Sequence, residues 1–161
     1  MALKPTIIEV DDLDHLAPVL DVMRACTETG RGWINVQAEV DPDELPPPPS
    51  LLTQLIRRSS PEAALGTWTP PLAGQTNAPQ NIGVQHRHGT KLLPLLEGFG
   101  VERPENWRRV QDSPRRGLVV AVPHDTPHDE VLDWLLRLVL AATPLETTGR
   151  WLVSHHSGRS A

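Results

Sequence analysis

Residues 106–142 read NWRRVQDSPRRGLVVAVPHDTPHDEVLDWLLRLVLAA, and they constrain the fold more than any other stretch. Two β-rich runs, 107–111 and 118–122, flank a turn of Asp112, Ser113, Pro114, Arg115, Arg116 and Gly117, the composition of a β-hairpin. A helix follows. Thr126 is placed to cap it, Pro127 suits its first position, and Asp129 and Glu130 complement the positive end of the helix dipole. Val131, Leu132, Trp134, Leu135, Leu136, Leu138, Val139 and Leu140 cover most of its circumference, which predicts burial on more than one side. Asp133 and Arg137 stand four apart on the remaining polar strip, and Pro144 ends the helix. Those two charges also break the apolar run, whereas a membrane span needs about 20 apolar residues.

The other elements are read by period. Thr6–Val10 (TIIEV) is a β-branched strand, and a helix capped by Asp12 or Asp14 runs to about Thr27 through Leu16, Val19, Leu20, Met23 and Cys26. Pro18 fits only its first turn. Trp33–Val40 alternates as a strand. Residues 41–50, DPDELPPPPS, form a stiff Pro-rich connector, and SLLTQLIRRSS after it has a helical apolar side of Leu51, Leu52, Leu55 and Ile56. Further strands are expected at Leu65–Thr69, 82–86 and 150–155, and a helix at 90–98, with 157–161 a frayed tail. GLVVAVP-helix-ETTGRWLVS echoes TIIEV-helix-ETGRGWINV, as two related strand–helix–strand units or chance would both produce. Mixed helices and strands with an antiparallel hairpin point to one α+β domain over 1–161. The expected architecture is a two-layer sandwich, a mixed sheet with its helices packed mainly on one face.

Composition narrows function by exclusion. A net charge of −5 disfavours nucleic acid as a partner. One cysteine, Cys26, excludes an internal disulfide and a multi-cysteine zinc site, and its place in the apolar helix pattern reads as core. MALKPTIIEVDDLD is not a secretory signal, so the expected location is cytoplasmic. The five tryptophans, at 33, 68, 107, 134 and 151, lack the strand spacing of a base-stacking surface and read as core or rim anchors.

Three constellations could carry chemistry. In GVQHRHGTK, residues 83–91, a helix starting at Gly89 and Thr90 would offer its N–H groups to an anion, with Arg87 and Lys91 beside it. The stretch departs from a phosphate loop by one residue in spacing, and Thr precedes Lys, so nucleotide triphosphatase chemistry is excluded. His86 and His88, two apart on a strand, could share a divalent metal, joined by His124, His128, His155 or His156 and by Asp125 or Asp129 if the chain brought them together. PHDTPHDE places His beside Asp twice, although adjacent residues rarely face each other and helix capping explains the same residues. The Arg108, Arg109, Arg115 and Arg116 hairpin could grip an acidic group, or simply solvate an edge.

The runs ENWRRVQDSPRRGLVVAVP, HDEVLDWLLR, IGVQHRHG and GRGWINV resemble segments of uncharacterised actinobacterial proteins, a likeness that implies a bacterial source and brings no activity or site residue. Absent catalytic signatures and the Pro-rich connector favour a non-catalytic soluble binding or regulatory module that engages a protein or itself, with no membrane. The alternative is a metal- or anion-dependent enzyme or ligand-binding protein built around His86 and His88.

Overall fold

The computed structural model describes residues 4–41, 63–86 and 89–158. The connector at 42–50, the helix expected at 51–60, Arg87, His88 and residues 159–161 lie outside them. Element order is β1 (Thr6–Val10), a 3-10 turn (Leu13–His15), α1 (Ala17–Thr29), β2 (Trp33–Val40), β3 (Leu65–Thr69), β4 (Gln80–Gln85), α2 (Leu92–Gly98), β5 (Arg108–Ser113), β6 (Gly117–Val122), α3 (His128–Ala142) and β7 (Thr147–His156). The class is α+β, as expected.

The sheet differs from the expected one. Its seven strands lie in the order β1-β7-β2-β3-β4-β6-β5, and every neighbouring pair is antiparallel, so it is not mixed. The reason lies in the crossovers. β1 and β2 run parallel through α1, and β6 and β7 run parallel through α3, but neither pair is adjacent. β7 lies between β1 and β2, while β4, β3 and β2 separate β6 from β7. The two echoing segments therefore are both strand–helix–strand crossovers. Their Trp-containing motifs do not correspond, because Trp151 is buried and Trp33 is only partly so.

Alternation sorts the side chains. Ile34, Val36 and Ala38 of β2, Trp68 of β3, Ile82 and Val84 of β4, and Trp151 and Val153 of β7 belong to the core. α3 packs on β2, β3 and β4, and also touches α1 and α2. Gly66 shows how closely it packs: a Cβ there would lie 2.5 Å from Val139 Cγ2 and 2.9 Å from Leu135 Cδ1. Only hydrogen fits between strand and helix.

Helix starts were placed early by the sequence. α3 begins at His128 with Pro127 as its cap residue, and proline has no side-chain acceptor to cap with. Thr126 lies one residue before the cap, its N–H bonded to Pro123 O and its carbonyl accepting from Gln80. α2 begins at Leu92, capped from Lys91 rather than Thr90. The expected first helix is divided, since Asp12 closes the 3-10 turn by accepting from Asp14 N–H and α1 begins afterwards at Ala17, with Pro18 in its first turn. Gly117 starts β6 at φ +84°, where a Cβ would lie 2.2 Å from Val84 O, so the hairpin can close on no other residue.

Gln80 is the polar keystone of the core. It is 1 % exposed, its Oε1 accepts Trp68 Nε1–H at 3.0 Å, and its Nε2 donates to Pro123 O at 3.1 Å and Thr126 O at 3.0 Å. One amide thus satisfies an indole and the loop that launches α3, leaving little of its own polarity unpaired.

Candidate functional site

The residues between the core positions make the second face of the sheet. Cross-strand register sets them in rows: Ile7, Ser154, Asn35, Thr67, Gly83 and Val119 form one row across six strands. The next row carries Glu9, Leu152, Gln37, Leu65 and Gln85. Ile7, Leu65 and Leu152 supply apolar walls, and Asn35, Gln37 and Ser154 polar lining, to a depression of about 510 Å³ that Glu9 borders. Its volume is in the range of ligand sites, about 300–1,000 Å³.

Side chains at one end of this face are held in place. The Trp33 and His156 rings stack with centroids 4.9 Å apart and planes 2° from parallel. Thr67 Oγ1 donates to Asn35 Oδ1 at 2.7 Å, which turns Asn35 Nδ2 towards His156 Nε2 at 3.2 Å. In that arrangement Nε2 is the acceptor of the Asn35 amide. Ser154 Oγ lies 3.3 Å from the same nitrogen. A serine–histidine base pair needs that lone pair for the hydroxyl proton, but here the Asn35 amide donates to it. The arrangement suits recognition better than acyl transfer.

The opposite end is charged. Arg150 meets Asp11 at 3.1 Å, Glu9 at 3.4 Å and Glu39 at 3.7 Å, and Thr148 Oγ1 donates to Glu39. One cation shared by three carboxylates leaves this end net negative.

His155 and His156 point to opposite faces because they are neighbours in a strand. His155 Nε2 lies 3.6 Å from Cys26 Sγ. Cys26 is 2 % exposed, and burial pushes its thiol above the ordinary range, so the core reading made from its helical position agrees with its surroundings. His128 turns to Thr27 Oγ1 at 3.0 Å and sets its ring edge-on to Trp68. Burial, then the charge of Arg24, hold its pKa down, with Asp129 opposing.

Of the expected metal ligands, His86 is not brought to His156, and His88 lies outside the described residues. Trp33, His156 and Asn81 share one end of the sheet, and His86 follows the last residue of β4, five residues beyond Asn81. At about 3.3 Å per residue that separation is some 16 Å. His124 and Asp125 are exposed in the loop before α3. Among the described residues no group of three or more His, Cys, Asp or Glu could hold a metal ion.

At the expected anion site, the amides at the start of α2 are already filled by the protein's own carboxylate. Asp112 Oδ1 accepts from Leu92 N–H at 2.7 Å and Oδ2 from Leu93 N–H at 3.1 Å. Gly89, Thr90 and Lys91 are exposed before the helix, and Arg87 lies outside the described residues. The Arg-rich hairpin is solvated: Ser113 Oγ accepts from the N–H groups of Arg115 and Arg116, and Arg108 and Arg109 are exposed on an outermost strand.

No protein-family model, curated protein or solved structure matches this chain.

What sequence reasoning missed is the second sheet face. Its signal was present as the alternate set of each strand, Trp33, Asn35, Gln37 and Glu39 in β2 and Arg150, Leu152, Ser154 and His156 in β7. Nothing in either strand alone says that the two sets adjoin. Four of the five tryptophans are buried; Trp33 is the one on this face. No described helix is long and apolar enough to cross a membrane.

Proposed function

We propose that this chain is a non-catalytic binding module that receives a polypeptide partner on the second face of its sheet. Crossovers between parallel strands are right-handed almost without exception. β1-to-β2 and β6-to-β7 move in opposite directions along the sheet with opposite strand senses, so the same hand puts α1 and α3 on one side. α2 joins them by touching α3. On this reading the other face is left for a partner.

Gly83 carries the proposal. It sits in β4, inside the sheet, where glycine costs stability and leaves no side chain to pack. Among the described residues a Cβ there would have one neighbour within 4 Å, Leu118 O at 3.8 Å, so those residues place no demand for glycine. A close approach from outside does. The bordering depression, with aliphatic walls and fixed amide and hydroxyl groups, suits a chain that offers both apolar side chains and backbone polar groups.

The test is site-specific photocrosslinking in the cell that makes the protein, with the crosslinker at Gln37 on this face and at Leu140 on α3. Adducts confined to Gln37 and lost on Gly83→Val support the reading. Adducts equal at both positions, or unaffected by Gly83→Val, overturn it.

A further inference from the structure

The two outer strands of the sheet are built differently. β5 carries exposed Arg108 and Arg109, and its pairing with β6 slips between Arg109 and Gln111, leaving Val110 half-exposed on an irregular edge. Charge and a bulge are the usual means of keeping an edge unpaired. β1 has no bulge within its span, and its one charged side chain, Glu9, is engaged by Arg150 of β7. Its ladder to β7 is regular over all five residues from Thr6 to Val10, and Ile7 is 58 % exposed. An edge of this kind presents a row of backbone donors and acceptors to any strand of matching length.

We infer that β1 pairs antiparallel with β1 of a second copy of this chain, about a two-fold axis at Ile8. The strand chooses the partner and the register. Ile8 is the midpoint of Thr6–Val10, so full-length self-pairing sets Ile8 against Ile8 of the copy, Ile7 against its Glu9 and Thr6 against its Val10. An axis perpendicular to the sheet requires opposed residues to point to the same side, and this register satisfies that for every pair.

Charge agrees. Lys4 stands two residues before the strand and Asp12 two after it. Antiparallel pairing about Ile8 brings each Lys4 opposite an Asp12, whereas parallel pairing would oppose like charges. Ile8 already packs against the core, and its counterpart extends that apolar layer across the axis. Because Ile7 and Glu9 both border the depression, the pairing sets two depressions side by side on one continuous sheet face. A closed, isologous dimer results.

Sedimentation of the full chain over a wide concentration range tests this. The expected mass rises from 17.8 kDa towards twice that value. Lys4→Asp weakens the dimer by about tenfold or more, and Lys4→Asp/Asp12→Lys restores it, because the opposed charges are exchanged. Ile7→Asp, facing Glu9 of the copy, leaves a folded monomer by circular dichroism, and Val110→Asp on the other edge leaves the dimer intact. A chain that stays at 17.8 kDa throughout overturns the inference. So does a dimer that survives Ile7→Asp, or one that the charge exchange fails to restore. Since Gly83→Val does not touch this edge, loss of partner capture and loss of the dimer are separable.

Discussion

Gly66 and Gly83 lie on neighbouring strands, with Gly83 opposite Thr67 and Gly66 opposite Val84, yet they point to opposite faces of the sheet. Over Gly66 the α3 side chains Leu135 and Val139 leave no room for a methyl group. Over Gly83 the described residues leave room for one. The same residue type answers a demand of the described residues on one face and none of theirs on the other. The lesson extends to whole rows: Ile34, Val36 and Ile82 are interchangeable with other apolar side chains of similar volume. Trp33, Asn35, Thr67, Ser154 and His156 are tied by specific hydrogen bonds and a ring stack whose stabilising value at a partly exposed surface is small.

The sharpest way to break the comparison is to add the same side chain at both glycines. Gly66→Val drives its methyl groups into Leu135 and Val139 and should destabilise by about 2–3 kcal/mol or prevent folding. Gly83→Val should be neutral or stabilising by about 0.5–1 kcal/mol, since it removes a glycine from a strand and, among the described residues, its Cβ meets only Leu118 O at an ordinary 3.8 Å. Urea unfolding reads both. If Gly83→Val proves as damaging as Gly66→Val, the two faces are not different in kind.

Next in size is Gln80→Leu, which fits the volume but leaves Trp68 Nε1–H and the carbonyls of Pro123 and Thr126 without their amide. A loss of about 2–3 kcal/mol is expected, with Trp68 fluorescence altered in the folded state. The matching polar change on the other face, Asn35→Ala, should cost about 1 kcal/mol or less. Asp112→Ala is intermediate. It uncaps α2 and should cost about 1 kcal/mol, read as faster amide exchange at Leu92 and Leu93.

The smallest effect is a pH dependence on the helix side. His128 is held below its ordinary pKa of 6.5, so the folded state prefers the neutral ring. Its contribution to stability is therefore complete above pH 6.5 and is lost as pH falls below that value through the folded pKa. Stability measured between pH 5 and 7.5 should dip at the acid end, and His128→Gln should flatten the dip. A dip unchanged in that variant assigns it to other groups.

Much of the fold was legible because alternation is a local property. β2 and β3 were bounded by their own residues, Trp33 to Val40 and Leu65 to Thr69, since each side chain's face depends only on its place in the strand. Helix starts were less legible, because what decides them is distant. Asp112 caps α2 from a strand twenty residues on, and Gln80 takes the Thr126 carbonyl from across the core. The order of strands was not legible at all: β7 lies between β1 and β2 through pairing that no local pattern encodes. The candidate site suffered most, because Ile7, Asn35, Leu65 and Leu152 come from four separate segments and meet only after the sheet is assembled.

The position of β7 has a consequence in time. β1 leaves the ribosome first among the described strands and finds its ladder partner in a segment reaching to His155 and His156. Until that segment emerges, TIIEV has no place in the sheet and β2 has a bare edge, while β2, β3, β4, β6 and β5 can already zip together through neighbouring pairs. Assembly should therefore finish with a single late insertion that closes the sheet and completes the depression together, giving slow, long-range-limited folding. Binding competence would then appear last, in the same step that seats the N-terminal strand.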